Sequence, residues 1–183
     1  MSSKLSDPLL GTAKFLVFAI QALIALLTAG ILIGVGALVT VGREQVFAKI
    51  AEANAPPIAF ALLILAFVLV AVLLAIGFRF FTELRGIINS VAEGDPFEAE
   101  NANRLSRMGW IAVGAHVLGL TLAGFAAWFH PYLLKLAEGG DDTRFEFGFG
   151  LDIGGILLTL ILFILARVFR EGTRMREDLE GTV

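Results

Sequence analysis

Of the 183 residues, 57% are hydrophobic and only 17% are charged, with a mean hydropathy of +0.85, well above the roughly 45–50% apolar share of a soluble domain. A net charge of −3 and a pI near 5.4 leave no basic surplus for direct nucleic-acid binding, because the arginines and lysines flank apolar runs instead of forming one stripe. The lack of cysteine excludes disulfides, thiolate metal sites, iron–sulfur clusters and a cysteine nucleophile.

Four apolar runs divide the chain: Phe15–Val41, Ile58–Phe81, Met108–Phe129 and Ile153–Phe169. A helix rises ~1.5 Å per residue, so about 20 residues cross a hydrocarbon core of ~30 Å. The pattern predicts an all-α membrane protein: a four-transmembrane-helix bundle with short interfacial helices, forming a single membrane domain over residues 1–183. Although Lys4 and Lys14 flank the first run, it is much longer than the ~7–15 residues of a signal-peptide core, and is expected to be retained as a span. Gln21 is a polar side chain within that run. Gly30 and Gly34, in "GILIG", make a small-xxx-small face that permits close helix approach in lipid. Packing within the chain and homo-oligomerisation are both open readings of it.

Lysine and arginine counts orient the spans. Lys4, Lys14, Arg79, Arg85, Arg104, Arg107, Arg167, Arg170, Arg174 and Arg176 fall on one side, against Arg43, Lys49, Lys135 and Arg144 on the other. By the positive-inside rule, both termini, the connection 82–107 and the tail 170–183 are expected in the cytoplasm, with loops 42–57 and 130–152 outside. The first outer loop carries Val46, Phe47 and Ile50 between charges, and reads as a short interfacial helix stopped by Pro56 and Pro57.

In the connection 82–107, Leu84, Ile87, Ile88 and Val91 recur at helical spacing until Gly94 ends the helix. Asp95, Pro96 and Glu98 imitate a capping box and open a new helix, in which Glu100 and Arg104 are a favourable pair four residues apart. Arg104 and Arg107 are placed at the headgroups, either as topology anchors or as contacts for a partner or anionic lipid. The new helix runs on into span three, where Trp110 and Trp128 lie about 27 Å apart, one for each interfacial belt.

His116 falls near the middle of span three, where a charged imidazole would cost several kcal/mol. It is expected to be neutral or partnered, with Gln21, Thr121 and Thr159 as candidate partners. His116 and Gln21 thus form a candidate intramembrane polar site, read either as plain interhelical hydrogen bonding or as a proton- or ligand-sensing group. The other histidine, His130, sits at the outer interface and completes no metal or haem ligand set.

After the turn signal "EGGDD", "RFEFGFGLD" alternates Phe145, Phe147 and Phe149 with period two, so a small β element is expected in the second outer loop. It reads either as a lid packed on the bundle or as a recognition strand for a ligand or peptide. Beyond span four, Val168, Met175 and Leu179 make an apolar stripe amid Arg170, Arg174, Arg176, Glu177 and Asp178. A short helix there would be marginal alone, since Gly172 costs up to ~1 kcal/mol against alanine. Two states are open: docked on the second connection or a partner, or frayed into solvent.

The pattern "GDPF" followed by "ENANRLSRMGW", in a four-span chain ending "VFREGTRMREDLEGTV", resembles the bacterial domain-of-unknown-function 2975 family. Its G-D-P-F, E-N and R-L-x-x-x-G elements fall on Gly94, Asp95, Pro96, Phe97, Glu100, Asn101, Arg104, Leu105 and Gly109. The tail matches from Phe169, Arg170 and Gly172 to Thr182 and Val183. Ala99 departs from the helix-starting proline common in similar proteins. The resemblance implies a bacterial inner-membrane protein, often encoded beside a small helix-turn-helix regulator of the Cro/CI type, with no established reaction.

Neither H-E-x-x-H, G-x-S-x-G nor a glycine-rich phosphate loop occurs, and no enzyme, metal or cofactor is expected. The leading expectation is a non-enzymatic sensor or regulatory partner that signals to a cytoplasmic protein such as that helix-turn-helix regulator. Candidate contacts are Asp95, Pro96, Phe97, Asn101, Arg104, Arg107, Arg170, Arg174 and Arg176. The alternative is a small transporter or channel subunit giving resistance to a membrane-active compound, although the spans lack the Gly/Pro breaks of substrate-binding half-helices.

Overall fold

A computed structural model of the chain describes residues 8–137 and 152–180. Their regular structure is entirely helical: α1 (Pro8–Thr40), α2 (Arg43–Glu52), α3 (Ala59–Glu93), α4 (Ala99–Ala137) and α5 (Ile153–Glu180). Four of these are long and apolar enough to cross a membrane, which makes this an all-α, multi-pass membrane protein. Leu26 and Ile33 are 70% and 73% exposed, an arrangement that lipid, not water, makes favourable. The expected β element, with Phe145, Phe147 and Phe149, lies outside the described residues.

The helices outrun the apolar runs that announce them. α3 continues from Phe81 to Glu93 because Leu84 and Ile87 keep the helical period and pack inward. α5 passes Phe169 and continues to Glu180.

The described residues fall into two compact units. The first comprises 8–25, 76–115 and 152–180. Its core joins Leu105, Met108 and Ala112 of α4 to Leu162 and Ala166 of α5, with Phe80, Leu84 and Ile87 of α3 packed against them. A Cβ on Gly109 would lie 2.8 Å from the Phe163 ring, so glycine lets that ring rest on the α4 backbone. Gln21 is buried in this unit, and its Nε2 donates to Thr82 Oγ1 at 3.1 Å. Single interhelical bonds of this kind are worth about 0.6 kcal/mol in lipid. Gln21→Leu is therefore expected to lower stability by only about that amount, measured by SDS unfolding of the reconstituted protein.

The second unit comprises Leu26–Ala75 and 116–137. Ile50 of α2, Ala59 of α3 and Phe129 of α4 form its core, and Phe47 stacks on Phe60 at 4.7 Å between centroids. Helix α2 does not wait for the prolines to stop it. Asn54 adopts φ +53, its N–H bonds Ala51 O and the Ala55 N–H bonds Ile50 O, both at 3.0 Å. This is a Schellman ending with asparagine in the left-handed position, closed before Pro56 is reached. Gly30 and Gly34 have nothing within 4 Å of a built Cβ, and line a groove of about 410 Å³ with Leu26, Leu27, Ile31 and Phe67 among its walls. Among the described residues, close packing within the chain is thus not what this small-residue face provides.

Candidate functional site

The polar residues that the sequence places between α3 and α4 converge in the first unit. α3 ends at Gly94, whose φ of +89 only glycine adopts without strain. The Gly94 N–H bonds Val91 O at 3.1 Å and the Asp95 N–H bonds Ser90 O at 3.0 Å, again a Schellman motif. The chain is thereby turned so that residues 95–98 lie beside the end of α5, and α4 starts at Ala99.

Asn101 ties this turn together. It is fully buried; its Nδ2 donates to Ser90 Oγ at 2.5 Å and to Pro96 O at 3.0 Å, while its Oδ1 accepts from Arg104 Nη1 at 2.9 Å. The Arg104 side chain lies across Gly86, where a Cβ would sit 2.7 Å from Nε. Gly86 therefore provides the slot in which the guanidinium reaches Asn101. Glu98 Oε2 is 3.5 Å from the same Nη1.

One turn lower, Glu83 of α3 is only 5% exposed and is held between two arginines. Arg79 Nη2 is 2.8 Å from Oε1 and Arg107 Nη2 is 3.1 Å from Oε2. Arg107 also pairs with Glu100. The helix-opening residues thus behave differently from their local pattern. Asp95 does not close a capping box, and Glu100 pairs with Arg107 and accepts from Asn103 instead of reaching Arg104. Asp95 takes a partner from α5, and Arg104 is drawn to the Gly86 slot, which leaves Glu100 to Arg107 on its own helix.

The end of α5 docks on this turn. Arg176 Nη1 is 2.6 Å from Asp95 Oδ1, and Thr173 Oγ1 is 2.8 Å from Phe97 O. The Phe97 ring packs on Phe169 at 5.4 Å and over Gly172, where a Cβ would stand 3.0 Å from the ring. Of the two open states of the tail, the docked one is observed as far as Arg176, and the helix runs on to Glu180. The docking face is not the apolar stripe, however. Val168, Met175 and Leu179 are 54%, 57% and 72% exposed, because seating Phe97 over Gly172 turns that stripe outward.

A family model described as "Protein of unknown function (DUF2975)" matches residues 46–183. The chain belongs to this family. Every residue of the turn and of its docked helix lies within the matched stretch. No curated protein and no solved structure matches the chain.

In this DUF2975 member the arginines of the first unit divide into two groups. Arg79, Arg104, Arg107 and Arg176 are engaged with acids of the same unit. Arg85, Arg167, Arg170 and Arg174 are exposed and have no acid partner among the described residues. Of the expected contact residues, Asp95, Asn101, Arg104, Arg107 and Arg176 are therefore engaged within the chain, while Arg170 and Arg174 are exposed and unpaired with any acid among the described residues. Glu83, Gly86 and Ser90 were not singled out from sequence. An acid four residues after Arg79 in "RFFTELR" was the available signal.

His116 is half-buried on α4 in the second unit, and Gln21 belongs to the first. The hydroxyls of Thr121 and Thr159 donate to their own helices, at Val117 O and Gly155 O. Among the described residues, no three His, Asp or Glu side chains gather as a metal site would require.

Proposed function

We propose that this DUF2975 protein is a non-enzymatic membrane sensor or regulatory partner. The α3–α4 turn and the end of α5 form one cytoplasmic docking face for a soluble protein, with both termini inside a bacterial inner membrane. The observation that carries the reading is the coupling of two segments remote in sequence. Asp95 and Phe97 hold Arg176 and Thr173, so a change in helix packing reaches both at once. The outward residues on that face are Arg174, Met175 and Leu179, a cation beside apolar side chains, which suits an amphipathic partner helix with an acidic edge. The family likeness supplies the partner class, a small helix-turn-helix regulator.

The test is affinity recovery from native membranes with the intact chain and with Arg174→Glu/Met175→Ser. Intact protein is expected to retain the small regulator and the variant to lose it at least about tenfold, as expected for one central hot spot. Equal recovery by both, or recovery of nothing by the intact chain, overturns the reading. Coupling is tested separately. Asp95→Arg should loosen the α5 end by up to about 1 kcal/mol, since both partners are half-exposed, and should raise its trypsin susceptibility. Asp95→Arg/Arg176→Asp should restore it, and failure of the swap to do so removes the ion pair from the coupling.

A further inference from the structure

We propose that the groove between α4 and α5 lined by Ser106, Phe163, Ala166, Arg167, Arg170 and Glu171 binds the phosphodiester headgroup of an anionic phospholipid. The groove encloses about 360 Å³. Arg167 and Arg170 are three residues apart on α5 and so share a face. Neither has an acid partner among the described residues, in contrast to Arg79, Arg104 and Arg107, whose charges the fold already neutralises. Glu171 is the acid in the lining, and the two arginines leave the groove with a net positive charge. Ser106 adds a hydroxyl donor from α4. Paired guanidinium N–H groups and a hydroxyl are what a phosphate with several acceptor oxygens requires.

Lipid, as the source of that phosphate, is indicated by the polarity gradient along the groove. Phe163 and Ala166 form its apolar end, with Phe163 seated on Gly109. Trp110 meets Phe163 edge-on at 5.5 Å and is 67% exposed. An indole so exposed beside an apolar run belongs to the membrane interface, where its ring is in the headgroup layer. From Phe163 to Arg170 the helix rises roughly 10 Å, comparable with the ~5–8 Å of headgroup on each side of the hydrocarbon. Acyl carbons would meet Phe163 and Ala166 while the phosphate meets Arg167, Arg170 and Ser106. This inference needs α4 and α5 to span the bilayer, and does not rest on the docking of a soluble partner.

Trp110 supplies the readout. In a Trp128→Phe background, the full chain is reconstituted in phosphatidylcholine vesicles doped with brominated phosphatidylglycerol or with brominated phosphatidylcholine, and quenching of Trp110 is followed. The anionic lipid is expected to be enriched at Trp110 about tenfold, the attraction of the two arginines being offset in part by Glu171. Arg167→Gln/Arg170→Gln should bring the two lipids to parity, while Arg174→Gln, outside the groove, should leave the preference intact. Both groove arginines are exposed and unpaired, so circular dichroism should show unchanged helicity. Ser106→Ala gives a second variant with an intact charge and a reduced preference. Parity in the parent protein, a preference that survives the double substitution, or equal loss with Arg174→Gln would each overturn the site. Displacement of the preference by millimolar inorganic phosphate would assign the groove to free phosphate and overturn the lipid source.

Discussion

Replacing Glu83 by alanine is expected to lower the stability of the folded protein by about 3 kcal/mol. Its carboxylate is buried between Arg79 and Arg107, and breaking a buried pair by removing one member typically costs ~3–5 kcal/mol. The lower end applies because the arginine side chains are 61% and 45% exposed and recover hydration, and because Arg107 keeps Glu100. Glu83→Gln should cost less than half as much, since an amide oxygen still accepts from one guanidinium. The measurement is reversible unfolding in mixed micelles, read by circular dichroism. A loss below about 0.5 kcal/mol for the alanine variant would show the pair to be no stronger than an exposed one.

Asn101→Leu is the second large effect, at about 3 kcal/mol. Leucine keeps the branched outline of asparagine but is bulkier and carries no donor or acceptor, so the loss combines broken hydrogen bonds with overpacking of a fully buried site. Ser90 Oγ and Pro96 O each lose a donor and Arg104 loses an acceptor, at ~1 kcal/mol per bond and more for a carbonyl left buried and unpaired. The damage should also travel. Pro96 O and Phe97 O are consecutive carbonyls, one bonded to Asn101 and the other to Thr173, so loosening the first releases the second. Hydrogen exchange over 171–180 should accelerate in Asn101→Leu far more than over 153–165. Uniform acceleration along α5 would mean that the turn does not hold the helix end. Asn101→Asp separates the roles, since it keeps an acceptor for Arg104 and presents no donor to Pro96 O.

The helices were legible in the sequence because they are set by composition and period. Each apolar run lies within one of α1, α3, α4 and α5 apart from its terminal residues, and Gly94 announces the end of α3 in "AEGDP". The site was legible only in outline. Gly172 reads locally as a weak point in a helix, and in the fold it is where the Phe97 ring sits. Val168, Met175 and Leu179 read as a docking stripe, and the helix instead presents Phe169, Gly172, Thr173 and Arg176 to the turn. Glu100 and Arg104 have the right spacing to pair, but Arg104 fits the Gly86 slot and Glu100 takes Arg107. Local pattern gives the energy of neighbours in sequence, a few tenths of a kcal/mol per pair. The contacts that place Gly172 and Arg104 join residues 75 and 18 positions apart, and nothing in their spacing advertises them.

The arginines held by Glu83, Asn101 and Asp95 act at two moments in the life of the molecule. While the chain is being inserted, no tertiary pair yet exists, and every arginine flanking a span contributes its full charge to the orientation that the positive-inside rule selects. Once the helices meet, Arg79, Arg104, Arg107 and Arg176 are engaged in ion pairs, and Arg85, Arg167, Arg170 and Arg174 are left exposed without an acid partner among the described residues. The charge present during insertion and the charge left unpaired in the folded protein are thus carried by different, overlapping sets of residues. Alanine at Arg107 perturbs both stages together. Lysine there preserves the first and, being a point charge without a planar fork, weakens the bridge between Glu83 and Glu100, so the Arg107→Lys protein isolates the folded state from its history of insertion.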